Sequence, residues 1–214
     1  MIYKKEYRFN SLNFSINKKI VSYRNRIIAR LNKHDSPEEI ALGVYVVYQT
    51  VAMKGLDDMK FDVLHQISKH HKVDINHVLI AGSAQTGESF HEETPFNPKS
   101  SDLDIAIVDA GLYERCLQIT HKATRDYSDL SGFPRKKGVS FYTDFLINLG
   151  RGFFRPDLMP TCSFKNQWFD FFQTLGKKYQ SNFKSINCGV YSSLHFFQMK
   201  QSNNIEIVKT QSRK

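Results

Sequence analysis

Apolar positions change their spacing along the chain, and the changes mark its elements. Ile20, Val21, Ile27, Ile28 and Leu31 recur near helical spacing and predict a basic amphipathic helix over 16–33. Asp35-Ser36-Pro37-Glu38-Glu39 starts a second helix. Ser36 can cap it, Pro37 fits its first turn, and Glu39 completes a capping box. Ile40, Val44, Val47 and Val51 then form one stripe down to Gly55. A third helix is expected over 57–71, with Met59, Val63 and Ile67 inward. The period then shortens. Val78 to Ala81 is an apolar strand ending at Gly82-Ser83, and Leu103 to Val108 is a second strand with alternating faces. Helices follow over 110–128, with Leu112, Cys116 and Ile119 near one face, and over 166–180, with Trp168, Phe171, Phe172 and Leu175. Residues 183–191 read as a strand, 193–201 as a short helix and 205–208 as a last strand before a loose tail.

One stretch fits both periods. Over 139–149, Val139, Phe141, Thr143 and Phe145 alternate like a strand, while Val139, Tyr142, Leu146 and Leu149 repeat like a helix. No repeat and no Gly/Ser linker interrupts the chain. The expectation is one α+β unit over 1–214, a mixed sheet flanked by helices, with an N-terminal helical part (1–72) and a core (73–214).

Composition narrows the setting. The 214 residues suffice for one good core, and no apolar run approaches the length of a bilayer span. The first residues, MIYKKEYRFNSLNFS, lack the apolar core of a signal peptide. Cys116, Cys162 and Cys188 are scattered and odd in number, which points to a reducing cytoplasm rather than a disulfide framework. The net charge of +9 favours polyanionic partners such as nucleotides, RNA or DNA, or serves solubility alone, while the absence of a long apolar run argues against a membrane partner. The basic N-terminal residues, Lys4, Lys5, Arg8, Lys18 and Lys19 among them, read equally as a nucleic-acid-facing arm or as a solvated helix face.

Candidate chemistry lies between the two strands. Asp102 and Asp104 are two apart at a strand end, so their carboxylates project together and repel unless a cation sits between them. Such hard oxygen ligands suit Mg²⁺, or Mn²⁺, which completes its shell with substrate phosphates. Gly82 lets the backbone approach a ligand, Ser83 adds a hydroxyl, and Gly87 relaxes the same loop. Three histidines invite a metal reading, but His70 and His71 are adjacent and diverge on a helix, with His77 apart. Arg151 and Arg155 read either as phosphate contacts or as surface charge.

LIAGSAQTG followed by SSDLDIAIV resembles the nucleotidyltransferase superfamily that includes DNA polymerase beta, over about residues 75–128. The resemblance implies a nucleoside triphosphate bound at Gly82 and Ser83, with catalytic metal held by Asp102 and Asp104. It implies transfer of a nucleoside monophosphate to an acceptor hydroxyl, with RNA or a second nucleotide among the acceptors. The family also places a third carboxylate on a later strand. Asp144 fills that role only if 139–149 is a strand, because 183–191 offers Ser185 and Asn187 but no acid. A nucleotide-binding relative with weak or no catalysis is therefore the alternative. A basic nucleic-acid-binding module with a structural Asp pair is a third reading, distinguished by steep salt dependence without metal or triphosphate dependence.

Overall fold

The computed structural model describes residues 22–213. Of the helix expected over 16–33, the described part is α1, Arg24–Leu31, with 22–23 and 32–33 outside it; residues 16–21 and the cationic residues before 22 lie outside the described residues. Helix α2 (Pro37–Leu42) begins on the expected box. The Ser36 hydroxyl accepts from Glu39 N–H at 3.2 Å, and the Glu39 carboxylate accepts from Ser36 N–H at 3.0 Å.

The long stripe through Val51 does not persist. At Gly43–Val47 the helix widens into a π-turn, the chain extends at Tyr48, and Val47 is left 75% exposed. Buried Gln85 explains the widening. Its amide donates to the carbonyls of Val44 (2.6 Å) and Tyr48 (3.1 Å), and it accepts from the Thr50 hydroxyl at 2.8 Å. Carbonyls released from the helical ladder thus keep partners. Helix α3 (Asp57–His71) agrees with the periodicity, with Val63 and Ile67 fully buried.

The sheet follows. Strand β1 (Val78–Ala81) leads into the short helix α4 (Gly82–Thr86). A small hairpin of β2 (Glu88–Ser89) and β3 (Thr94–Pro95) comes next, then β4 (Leu103–Val108). Helix α5 spans Ala110–Ala123, five residues shorter than the 110–128 expectation; Arg125, Asp126 and Tyr127 turn away at positive φ. A second hairpin, β5 (Arg135–Lys136) and β6 (Val139–Ser140), precedes α6 (Tyr142–Gly150), β7 (Phe153–Phe154) and α7 (Ser163–Lys178). The chain ends with β8 (Ile186–Tyr191) and α8 (Leu194–Gln211). The strand order is β1-β4-β8-β7, with β4 and β8 parallel and the other pairs antiparallel. The architecture is α+β with a mixed sheet, as expected.

Two expectations need correction. Residues 139–149 divide between a two-residue strand and a helix. Fully buried Phe145, packed on Phe133 and Phe154, decides the matter for α6 and leaves Asp144 exposed on its outer side. Asp144 is therefore no third carboxylate of a strand. Leu194–Gln211 forms one helix, not a helix and a strand. The polar residues that suggested a break are satisfied within it: the Ser202 hydroxyl donates to the Met199 carbonyl, and Asn204 donates to Gln201 and to the Tyr45 hydroxyl.

Alternation on β4 builds two cores. Leu103, Ile105 and Ile107 pack with Val63, Ile67, Leu112 and Trp168 on one side. Ala106, with Ala81 and Tyr191, packs on the other against Ile27, Ile40 and Val44 from the N-terminal helices and Phe197 and Ile205 from α8. No described helix is long and apolar enough to cross a membrane.

Candidate functional site

The pairing of β1 with β4 brings the two halves of the motif together. Ala81 lies opposite Asp104, so Gly82, the next residue, meets the Asp104 side chain. The contact is close: a Cβ added at Gly82 would sit 2.2 Å from Asp104 Oδ2, and Gly82 has φ +61°. Only glycine meets both demands. Ser83 is the second residue of α4 and lies in its first turn, where backbone N–H groups have no intrahelical acceptor. The residue before that turn is Ala81, which has no side-chain oxygen to cap it.

Strand β8 supplies the surroundings of the acids. Its parallel register sets Ile186 beside Leu103 and Asn187 beside Asp104. The Ser185 hydroxyl donates to Asp102 Oδ1 at 2.8 Å, and the Asn187 amide donates to Asp102 Oδ2 at 3.3 Å. Asp102 is thus fixed by two neutral donors. Asp104 is less well compensated. Burial first, and the neighbouring Asp102 charge second, push its carboxyl up to about 6, with the Asn187 amide acting in the opposite sense. A cation between the pair would relieve both penalties. Two carboxylates that leave the rest of a metal's shell to substrate oxygens fit Mg²⁺. Among the described residues there is no cluster of three or more His, Cys, Asp or Glu side chains arranged for a metal.

Two cavities meet here and share Gly82, Asp104 and Lys184. The smaller, about 460 Å³, contains Ser83 and Asp102 together with Glu88 and Glu92. Glu88 is tied to Arg24 at 2.6 Å. Both glutamates line this cavity. The larger, about 990 Å³, opens between α7 and α8 along the first half of β8. Residues 186–189 have no strand partner on that side, because β7 pairs only with Val190 and Tyr191.

The remaining candidates separate. His77 bonds Asp109 at 2.9 Å, and Asp109 in turn caps α5 by accepting from Leu112 N–H (2.7 Å), a structural role. His70 and His71 both pack on α7. His70 stacks on Phe171, and His71 lies against Trp168 and Phe172 with its Nε2 buried and unpartnered. Burial holds His71 down to about 3, so it remains neutral. Arg155 does line the larger cavity; Arg151 lies near it. Sequence reading missed Lys184 and Lys200 at the site, and left Ser185 and Asn187 without a role. Their positions follow from strand order and helix packing, which no local spacing reveals. Compared with protein-family models, curated proteins and solved structures, the chain has no significant match.

Proposed function

We propose that the protein is a metal-dependent nucleotidyltransferase that moves a nucleoside monophosphate from a nucleoside triphosphate to an acceptor hydroxyl. The acceptor oxygen forms a bond to the α-phosphorus as its proton passes to solvent water, the bond from that phosphorus to the bridging oxygen breaks, and pyrophosphate leaves. The observation that carries this reading is the Asp104 carboxylate set against Gly82 with Asp102 two residues before it, Asp104 being pushed up to about 6 by burial and then by Asp102. Mg²⁺ or Mn²⁺, held by Asp102 and Asp104, would supply charge stabilisation at the reacting phosphate. The chain's own residues bind and orient. Ser83 and the backbone at Gly82 hold distal phosphate oxygens, Ser185 and Asn187 fix the direction of Asp102, and Lys184 adds a positive charge at the seam of the two cavities. Three free thiols accord with a reducing, cytoplasmic setting.

The test is incubation with each labelled triphosphate and Mg²⁺ or Mn²⁺, with and without total RNA, following pyrophosphate release. Metal-dependent release is expected. Salt-sensitive RNA binding without any metal-dependent triphosphate binding would overturn the reading in favour of a plain nucleic-acid-binding module.

One observation favours a second reading, a nucleotide-binding relative with weak or no turnover. Beside Asp104 the parallel strand presents Asn187, and Ser185 precedes it, so neither neighbour can take a proton from the acceptor as a carboxylate would. Metal-dependent triphosphate binding without pyrophosphate release identifies this case.

A further inference from the structure

The charges of the two cavities are opposite in character. The smaller carries Glu88, Glu92, Asp102 and Asp104 against one lysine. The larger carries Arg155, Lys177, Lys184 and Lys200 against Asp104, Asp157 and Asp170. At its far end the excess is concentrated. Arg155 spends its guanidinium on Asp157, with bonds of 3.1 and 2.6 Å. Lys200 and Arg151 have no carboxylate within ion-pair distance among the described residues. Yet they are gathered together: partial burial first, then Arg151 and Arg155 beside it, disfavour the Lys200 ammonium, although Lys200 and Arg151 remain exposed. Like charges that close repel one another unless an anion joins them.

The backbone leaves a path from this cluster to Asp104. At Gly189 an added Cβ would meet the Phe153 ring at 2.3 Å, so Phe153 lies flat across β8 and stacks on Tyr191 at a centroid distance of 4.4 Å. These rings floor the cavity between Asn187 and Arg155.

We propose that the larger cavity receives an acceptor that itself carries phosphate, a nucleotide or the end of an oligonucleotide, and that Lys200 with Arg151, beside the Asp157-paired Arg155, binds that phosphate. A neutral acceptor would leave the cations uncompensated, and an amine-bearing one would be repelled by them. The assignment of the bound molecule as acceptor rests on the nucleotidyl-transfer reading; the phosphate site itself does not.

The experiment measures binding to the full chain without metal or triphosphate. Adenosine monophosphate is compared with adenosine by calorimetry, and a labelled 5′-phosphorylated triribonucleotide with its dephosphorylated form by fluorescence anisotropy. The phosphorylated member of at least one pair binds roughly tenfold or more tightly, the gain expected of one charge-assisted contact. Preference within the mononucleotide pair assigns a free nucleotide, and preference within the triribonucleotide pair alone assigns a chain end. Lys200→Gln removes most of the preference and Lys200→Arg retains it. Equal binding within both pairs, or a preference unaffected by Lys200→Gln and by Arg151→Gln, overturns the proposal. Metal-dependent pyrophosphate release alongside that negative result would leave the nucleotidyl-transfer reading standing, so the two failures are separable.

Discussion

Gly82 concentrates the site's constraints at one residue. Its positive φ and its contact with Asp104 both exclude a side chain. Gly82→Ala is expected to displace the Asp104 carboxylate, lower stability by about 1–3 kcal/mol and abolish metal-dependent triphosphate binding. Urea denaturation and a metal–triphosphate titration check the two effects. Ser83→Ala leaves the backbone alone and removes one hydroxyl at the smaller cavity. If that hydroxyl bonds a distal phosphate, triphosphate affinity falls by about 1.5–3 kcal/mol with little effect on a monophosphate. Equal losses for both nucleotides would place the hydroxyl elsewhere. The two acids should also differ from each other. Asp102 accepts from two neutral donors, so Asp102→Asn turns an amide toward one of them. Asp104→Asn removes a buried charge that its neighbour disfavours, and raises the stability of the metal-free protein near pH 7. The double variant keeps its fold and loses metal-dependent triphosphate binding. Normal Mg²⁺-triphosphate binding by that variant would make the pair structural.

At the scale of elements, buried side chains decided what periodicity left open. Gln85 holds α4 to the π-turn through two carbonyls and a hydroxyl. Gln85→Ala leaves those buried groups without a partner, at about 1–3 kcal/mol each. The expected result is a loss of several kcal/mol in a denaturant titration. A change under about 1 kcal/mol would mean that the turn keeps its shape without the glutamine. The same glutamine shows why the stripe from Ile40 to Val51 was misleading. Its partner lies some forty residues away, so local spacing could not foresee the widened turn. Likewise α8 looked broken at Ser202-Asn203-Asn204, because the run is polar; Ser202 and Asn204 bond Met199 and Gln201 of the same helix, and Tyr45, far away in the chain, adds a partner for Asn204. By contrast Asp102, Asp104, Gly82 and Ser83 were legible, since strand alternation and one antiparallel pairing suffice to bring them together. Lys184, Asn187 and Lys200 reach the site through a parallel pairing eighty residues away and through helix placement, neither of which leaves a local signature.

For the molecule as a whole, the N-terminal helices are not a separate part. Ile27 and Ile40 share one core with Ala106 and Ile205, while Val63 and Ile67 share the other with Ile107 and Trp168. Residues 22–213 are therefore expected to unfold together, with Trp168 fluorescence and far-ultraviolet dichroism giving one transition. Its pH dependence should hide two opposed titrations. His71 is held from 6.5 down to about 3, so between those values the unfolded chain binds the additional proton and stability rises with pH. Asp104 is raised from 3.8 to about 6, so between those values the native protein binds the additional proton and stability falls with pH. Each slope approaches about 1.4 kcal/mol per pH unit where one state alone is protonated. From pH 4 to 6 the two largely cancel. Asp62, held below its usual range by Lys178 and then Tyr179, contributes only at more acidic pH. Substitution should expose each half of the balance. Asp104→Asn gives metal-free protein whose stability climbs steadily from pH 4 to 6, and His71→Phe gives protein whose stability declines over the same interval. Urea midpoints taken every half unit of pH distinguish the two, and parallel profiles for both variants would remove either the buried neutral histidine or the raised carboxyl from the account.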